Sequence, residues 1–74
     1  MKQLHSLRQA TGRRVRVHTQ DRSVEGVLAY VSRRSIVLEG AEVPRAEVGQ
    51  VPIPIVGSVI VDRSQVTWYE IKGS

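Results

Sequence analysis

The sequence predicts a mostly β domain, in which a short N-terminal helix precedes a strongly bent barrel of five antiparallel strands. Three observations lead to this prediction. Near residue 12 the spacing of apolar residues changes from three or four positions to two, which marks a change from helix to strand. Short polar segments then separate the alternating runs, as hairpin turns do. Gly26 lies inside the second run, where glycine usually marks a bulge or a sharp bend.

The first residues of the chain, MKQLHSLRQATG, predict a helix over residues 2–11. Leu4 and Leu7 are three positions apart, and Ala10 continues the same apolar edge among polar neighbours. Gly12 is a typical helix stop. Because so short a helix is marginal in water by itself, we expect its apolar edge to pack against the sheet.

The first three strands follow in order, separated by short polar turns. RRVRVHT alternates valine with arginine or histidine, so one face is predicted to be buried and the other to face water. After the turn QDRS, the second strand, VEGVLAYV, is predicted to direct Val24, Gly26, Leu28 and Tyr30 to one face. SRRS is the next turn, and the third strand begins at IVLEG and continues to about Val43.

The remaining chain predicts an irregular connector and two more strands. The segment PRAEVGQVPIP contains three prolines, which exclude a regular central strand, so we expect a loop or an irregular edge. The fourth strand is predicted in IVGSVIV and the fifth in VTWYEI, with the turn DRSQ between them. Five short antiparallel strands with one strong bend are typical of a small SH3-like or OB-like barrel. We expect residues 1–74 to form one domain, with the barrel over residues 13–71.

Both faces of the last two strands carry apolar residues, although a small barrel buries only one face of each strand. The second apolar face therefore needs a cover, which is either the N-terminal helix or another subunit. We expect Trp68 and Tyr69 to pack in a core or an interface, with base stacking as the alternative. The predicted subunit interface contains Val59, Val61, Val66, Trp68 and Ile71.

The composition limits the class of protein. The chain contains no cysteine, so it has no disulfide and no thiolate metal site. Eleven Lys and Arg residues against seven acids give a net charge of +4 at pH 7, which suits a polyanion such as nucleic acid but is also common in small soluble proteins. We find no apolar run long enough for a signal-peptide core or a membrane span, and we therefore expect a cytoplasmic protein with no membrane contact.

No pattern in the sequence predicts catalysis. The acids show no paired spacing for acid–base chemistry, and there is no nucleophile elbow, phosphate-binding loop or dinucleotide fingerprint. His5 and His18 have no third ligand at metal spacing. We therefore expect a protein that is not an enzyme, that uses no cofactor and that has no metal site.

Two segments resemble the motifs of the Sm/LSm family, which includes a bacterial RNA-chaperone branch. The first is GRRVRVHTQDRSVEGVLAYVSRRSIVLEG and the second is VGSVIVDRSQV. In the first, the matching apolar and glycine positions are Val15, Val17, Gly26, Leu28, Ile36, Val37 and Leu38. In the second, they are Gly57, Val59, Val61 and Val66.

The resemblance implies a ring of five to seven copies, joined by the fourth strand of one copy and the fifth strand of the next. It also implies that single-stranded RNA binds around the central pore. In that family the turn between strands two and three and the turn between strands four and five contact the RNA, and here these are residues 32–35 and 62–65. The candidate RNA-binding residues are Arg33, Arg34, Ser35, Arg63 and Gln65.

The candidate nucleotide pocket departs from the family pattern. Neither Val31 nor Ser32 supplies the usual acidic residue, and Ser35 replaces the usual asparagine. The second turn reads Asp62-Arg63 instead of Arg-Gly. These departures favour an alternative, a ring that keeps the fold but binds a protein instead of RNA. A monomeric SH3-like barrel is a third possibility.

Arg33 and Arg34 also occupy the place of the usual base-stacking aromatic. Guanidinium groups can stack on bases and pair with phosphate, so the replacement is compatible with RNA binding. The other interpretation of this pair is two solvated turn charges. Arg14, Arg16 and His18 form a second basic group, on the water-facing side of the first strand. We interpret it as an ordinary solvent-exposed face, with a second polyanion surface as the alternative.

Overall fold

A computed structural model describes residues 7–45 and 49–72 of the chain. They form one antiparallel sheet, and a short 3₁₀ turn, Arg63–Gln65, joins its last two strands in sequence. The strands are β1 (Arg14–Thr19), β2 (Ser23–Val31), β3 (Ser35–Val43), β4 (Ile53–Pro54), β5 (Val59–Asp62) and β6 (Val66–Ile71). The prediction of a mostly β, antiparallel fold is confirmed.

The strand order is β4-β3-β2-β1-β6, and β5 pairs with β3 on the edge that β4 also uses. The predicted count of five strands is wrong, because Ile53 and Pro54 of the connector pair with Val43 and Glu42. This extra strand has two residues and lies at an edge, as its proline requires. The predicted barrel does not close: among the described residues β5 and β6 do not pair with each other, so the sheet stays open.

The predicted N-terminal helix is described only in its last part. Residues 7–9 are helical and a turn follows over 10–12, whereas residues 2–6 lie outside the described range. Leu7 and Ala10 are each 1% exposed, which confirms that the apolar edge packs against the sheet. Gly12 has a φ of +90°, and its N–H donates to the Leu28 carbonyl at 2.8 Å. No helix within the described residues is long and apolar enough to cross a membrane.

The core lies on the inner face of the bent sheet, under residues 7–10. Val15 and Val17 of β1 are buried and alternate with half-buried residues, as the sequence pattern predicts. The buried apolar residues are Leu7, Ala10, Val15, Val17, Val24, Leu28, Val31, Ile36, Leu38 and Ala41.

Gly26 lies at an irregularity in the pairing of β2 with β3, as its position within the strand predicts. The register shifts between Glu25 and Val27. A Cβ atom on residue 26 would lie 3.0 Å from the Cα atom of Ala41 and 3.0 Å from the carbonyl oxygen of Glu39. Both are backbone atoms, so the two strands approach this closely only because residue 26 is glycine.

A second register shift, between Leu28 and Tyr30, changes which residues of β2 face the core. The sequence predicts Tyr30 on the same face as Leu28, and this is wrong. Tyr30 is 61% exposed, whereas Val31 is buried. A shift of one residue moves every later side chain to the opposite face of a strand, and this shift exchanges tyrosine for valine in the core.

Candidate nucleic-acid interface

The two turns that the sequence selects as RNA-binding lie side by side. The backbone N–H of Arg63, in the β5–β6 turn, donates to the carbonyl oxygen of Arg34 at 2.8 Å. The Nη1 group of Arg63 donates to the carbonyl oxygen of Ser32 at 3.2 Å. These two hydrogen bonds join segments that are about thirty residues apart in sequence, so residues 32–35 and 62–65 form one surface.

The β2–β3 turn is folded by its serines. The Oγ atom of Ser32 accepts hydrogen bonds from the backbone N–H groups of Arg34 and Ser35, at 3.3 and 3.0 Å. The backbone N–H of Ser32 donates to the carbonyl oxygen of Ser35 at 2.8 Å. Serine hydroxyls commonly hold turns in this way. The arginine side chains are therefore not needed to fold the turn, and Arg33 and Arg34 are exposed.

The β5–β6 turn is capped by Asp62. Its Oδ1 atom accepts a hydrogen bond from the backbone N–H of Ser64 at 2.9 Å and another from the Ser64 hydroxyl at 2.8 Å. These bonds, with the nearby charge of Arg34, hold the pKa of Asp62 below its ordinary value. The carboxylate forms no ion pair within 4.0 Å among the described residues, although its charge lies near Arg34.

The five candidate RNA-binding residues therefore have different surroundings. Arg33 and Arg34 are exposed, and neither guanidinium has an ion-pair partner in the part of the chain that the structure describes. Gln65 is also exposed. Ser35 and Arg63 are half-buried, and both take part in the hydrogen bonds that hold the turns. Arg33, Arg34 and Gln65 are thus exposed to a ligand, whereas Ser35 and Arg63 help to hold the two turns in place.

The second basic group, on β1, is neutralised. Glu25 lies between two arginines: its Oε2 atom is 2.7 Å from Arg14 Nε, and its Oε1 atom is 2.9 Å from Arg16 Nη2. Arg14 also contacts Glu42 at 3.3 Å. Burial raises the pKa of Glu25, but the hydrogen bonds from both arginines outweigh it and lower the pKa below its ordinary value. This geometry favours the wet face over the polyanion surface as the interpretation of β1.

His18 connects three strands on the outer face, the sheet face turned away from the core. Its Nδ1 atom is 2.7 Å from the Ser23 hydroxyl, and its Nε2 atom is 3.0 Å from a carboxylate oxygen of Glu70. The bond to His18 lowers the pKa of Glu70. The indole of Trp68 stacks on the imidazole, with the ring centres 4.0 Å apart and the planes 7° from parallel. Trp68 is 51% exposed, so it lies on this outer face and outside the core.

The residues of the predicted subunit interface differ in exposure. Val59, Val61 and Val66 are half-buried and pack against the core, whereas Trp68 and Ile71 are exposed. The predicted interface set leaves out Ile60, which lies between Val59 and Val61 but faces outward and is 71% exposed. The sequence feature that could have identified it is an apolar residue at an outward-facing position of an edge strand.

Comparison of the chain with protein-family models, with curated proteins and with solved structures finds no match in any of the three. The residues that the structure describes contain no group of three or more His, Asp or Glu side chains placed to hold a metal ion. The features of the chain that bear on its function are therefore the two adjacent turns and the open sheet edges.

Proposed function

We propose that this chain is a cytoplasmic, Sm-like protein that assembles into a homo-oligomeric ring of five to seven copies. The ring binds single-stranded RNA at its pore and catalyses no reaction. In this proposal the open, bent sheet is of the Sm type, with the core order β6-β1-β2-β3-β5 and a 3₁₀ turn before the last strand. The RNA-binding residues are Arg33, Arg34, Ser35, Arg63 and Gln65.

The contact between the two turns carries the proposal. Arg63 hydrogen-bonds to Ser32 and Arg34, which gathers three arginines from distant parts of the chain on one surface. Each copy in a ring repeats this set around one opening, so the positive potential there adds up. Arg33 and Arg34 are free to meet phosphates or to stack on unpaired bases, because the serines hold the turn without them.

The two unpaired strand edges support assembly. β5 pairs only with β3 and β6 pairs only with β1 among the described residues. Open edges of this kind accept another strand, and the two edges belong to opposite ends of the sheet order. When one edge of a copy meets the other edge of the next copy, the contact is head-to-tail and can close into a ring.

The test combines native mass spectrometry with a binding titration against oligo-U and oligo-A. We expect a particle several times 8.3 kDa that binds RNA at low salt. The logarithm of the affinity should fall by about 0.7 per neutralised phosphate for each decade of salt. The variant with alanine at Arg33, Arg34 and Arg63 should lose binding. Arg45→Ala removes one exposed arginine of the connector and serves as the matched control.

Two results would contradict RNA binding. One is undetectable affinity for both oligomers at low salt, and the other is unchanged affinity in the triple variant. Because Arg63 also holds the turns together, the double variant of Arg33 and Arg34 separates loss of contact from loss of structure. A wild-type protein that remains an 8.3 kDa monomer would contradict the ring and favour the monomeric barrel.

The second candidate function is a ring that binds a protein instead of RNA. The observation in its favour is the apolar exposure in and just after the connector, where Val51 is 77% exposed, Ile53 48% and Val56 100%. Exposed apolar residues this close in sequence commonly mark protein contacts. This function predicts capture of a partner that nuclease treatment leaves in place and that a Val51→Ser/Val56→Ser variant loses. Recovery of RNA alone would contradict it.

A further inference from the structure

The two open edges carry matching apolar side chains. Ile60 lies opposite Val37 in the pairing of β5 with β3, on the outer face. Trp68 lies opposite His18 in the pairing of β6 with β1, also on the outer face. They are 71% and 51% exposed, and each lies on a strand that has a neighbour on one side only within the described residues.

The indole of Trp68 is held flat before any partner arrives. It stacks on the imidazole of His18, which is fixed by hydrogen-bonding contacts with Ser23 on one side and Glu70 on the other. A side chain held in one orientation loses little conformational entropy when a partner covers it. One indole face is turned to His18, which leaves the remaining surface of the ring for a contact.

Ile60 lines a cleft of about 400 Å³ along the open side of β5. Val24, Val59 and Val61 also line this cleft, together with polar side chains from the β1–β2 turn and from the end of β5. A cleft beside an unpaired strand edge fits an added strand, because main-chain groups can pair along the edge while side chains enter the cleft.

We propose that the indole of Trp68 packs on the side chain of Ile60 in the next copy, with β6 lying along β5 and covering this cleft. The inference rests on the proposed ring assembly and names a side-chain contact between neighbouring copies. In a continuous sheet, side chains on the same face of neighbouring strands lie side by side, so two outer-face residues meet. Pairs of an aromatic and a β-branched residue are among those that stabilise a sheet.

A second copy fits better than an unrelated partner because both halves of the contact are on one chain. Trp68 and Ile60 lie on the strands at the two ends of the core sheet order. One copy therefore contacts one neighbour through Trp68 and the other neighbour through Ile60. A head-to-tail repeat therefore covers every exposed Ile60 and Trp68 in the assembly. In this arrangement His18 is a positioning residue, which acts on the interface through the indole that it supports.

The test uses Trp68 as its own reporter, since it is the only tryptophan in the chain. The variants are Ile60→Asn and, as a control, Val56→Asn, which changes a fully exposed valine between β4 and β5. Sedimentation gives the mass, and acrylamide quenching gives the accessibility of Trp68 over a concentration series. We expect acrylamide quenching of Trp68 to weaken as the wild type assembles. Val56→Asn should assemble over the same concentration range as the wild type, whereas Ile60→Asn should need a concentration at least tenfold higher.

His18 supplies the second pair of variants. His18→Ala removes the ring beneath the indole and should weaken assembly several-fold, whereas His18→Phe keeps a flat ring there and should restore it. Assembly by Ile60→Asn at the wild-type concentration, or assembly that leaves Trp68 fully open to acrylamide, would overturn this contact and leave the ring intact. A wild type that stays at 8.3 kDa overturns the ring itself and this contact with it.

Discussion

The arginines on β1 and the arginines in the β2–β3 turn have the same chemistry but opposite surroundings. Arg14 and Arg16 enclose the buried carboxylate of Glu25, at 2.7 and 2.9 Å. Arg33 and Arg34 are exposed and have no ion pair with any described residue. The difference teaches that net charge alone does not locate a polyanion surface. What matters is which cations the folded chain leaves exposed and without an ion pair.

The physical reason lies in the sheet. On β1, side chains of one face stand opposite those of β2, so the register of the two strands places Arg16 beside Glu25. In a turn, side chains diverge and have no cross-strand neighbour. The arginines of β1 therefore serve stability, and those of the turn are available to a ligand. The predictions below separate these two roles by their effects on unfolding, from the largest to the smallest.

The largest effect is expected from Glu25→Ala. Its removal leaves Arg14 and Arg16 close together without their shared carboxylate, and we expect the free energy of unfolding to fall by about 2 kcal/mol. Urea denaturation at a fixed protein concentration measures this change. Glu39→Ala removes an exposed carboxylate from β3 and should change the free energy by less than about 0.5 kcal/mol. Equal effects of the two substitutions would contradict a stabilising role of the Glu25 ion pairs.

Acid should act in the same direction as that substitution, but more weakly. Because the folded pKa of Glu25 lies below its ordinary value of 4.5, the ion pairs contribute fully above that pH, and the contribution is lost as the pH falls through the folded pKa. The loss is smaller than in Glu25→Ala because a protonated carboxyl group still forms hydrogen bonds. Urea denaturation between pH 6 and pH 3 should show a shallower decline for Glu25→Gln than for the wild type.

A smaller effect is expected from Arg63→Ala. This change removes the hydrogen bond from the guanidinium to the Ser32 carbonyl but keeps the backbone bond to Arg34. We expect unfolding to require about 1 kcal/mol less free energy. Thermal unfolding followed by circular dichroism measures it. A variant as stable as the wild type would show that the backbone contact alone joins the two turns.

The smallest effect on stability is expected from the double variant Arg33→Ala/Arg34→Ala. Neither side chain folds the turn, so the free energy of unfolding should stay within about 0.5 kcal/mol of the wild type. RNA binding should respond instead: two lost phosphate contacts reduce the salt slope by about 1.4. Arg14→Ala is the control for which we expect the reverse result: a lower free energy of unfolding and an unchanged salt slope of RNA binding. A double variant with reduced stability and normal binding would reverse the roles assigned to the two groups.

Much of the fold follows from the residues themselves. The alternation of Val15 and Val17 with charged residues correctly predicts a half-buried first strand, and Gly26 correctly marks an irregular pairing. The serines around Arg33 and Arg34 correctly predict a turn. These features depend on neighbours in sequence, where side-chain period and backbone preference act directly.

Other features could not be predicted because they depend on register. The inward turn of Val31 in place of Tyr30 follows from a shift against β3, and nothing in the alternation of β2 locates that shift. The extra strand at Ile53–Pro54 exists only because β3 offers a free edge there. A register shift between β1 and β6 similarly separates Val66, which packs on the core, from Trp68, which faces outward.

By itself the sequence determined the β-rich class, the positions of most strands and turns, and the two turns that carry the candidate arginines. Only the tertiary structure decided which cations are neutralised, that the two turns touch through Arg63, and that Ile60 and Trp68 lie exposed on open edges. The reason is physical: periodicity and turn chemistry act over a few residues, whereas charge pairing and edge exposure depend on strands brought together from distant parts of the chain.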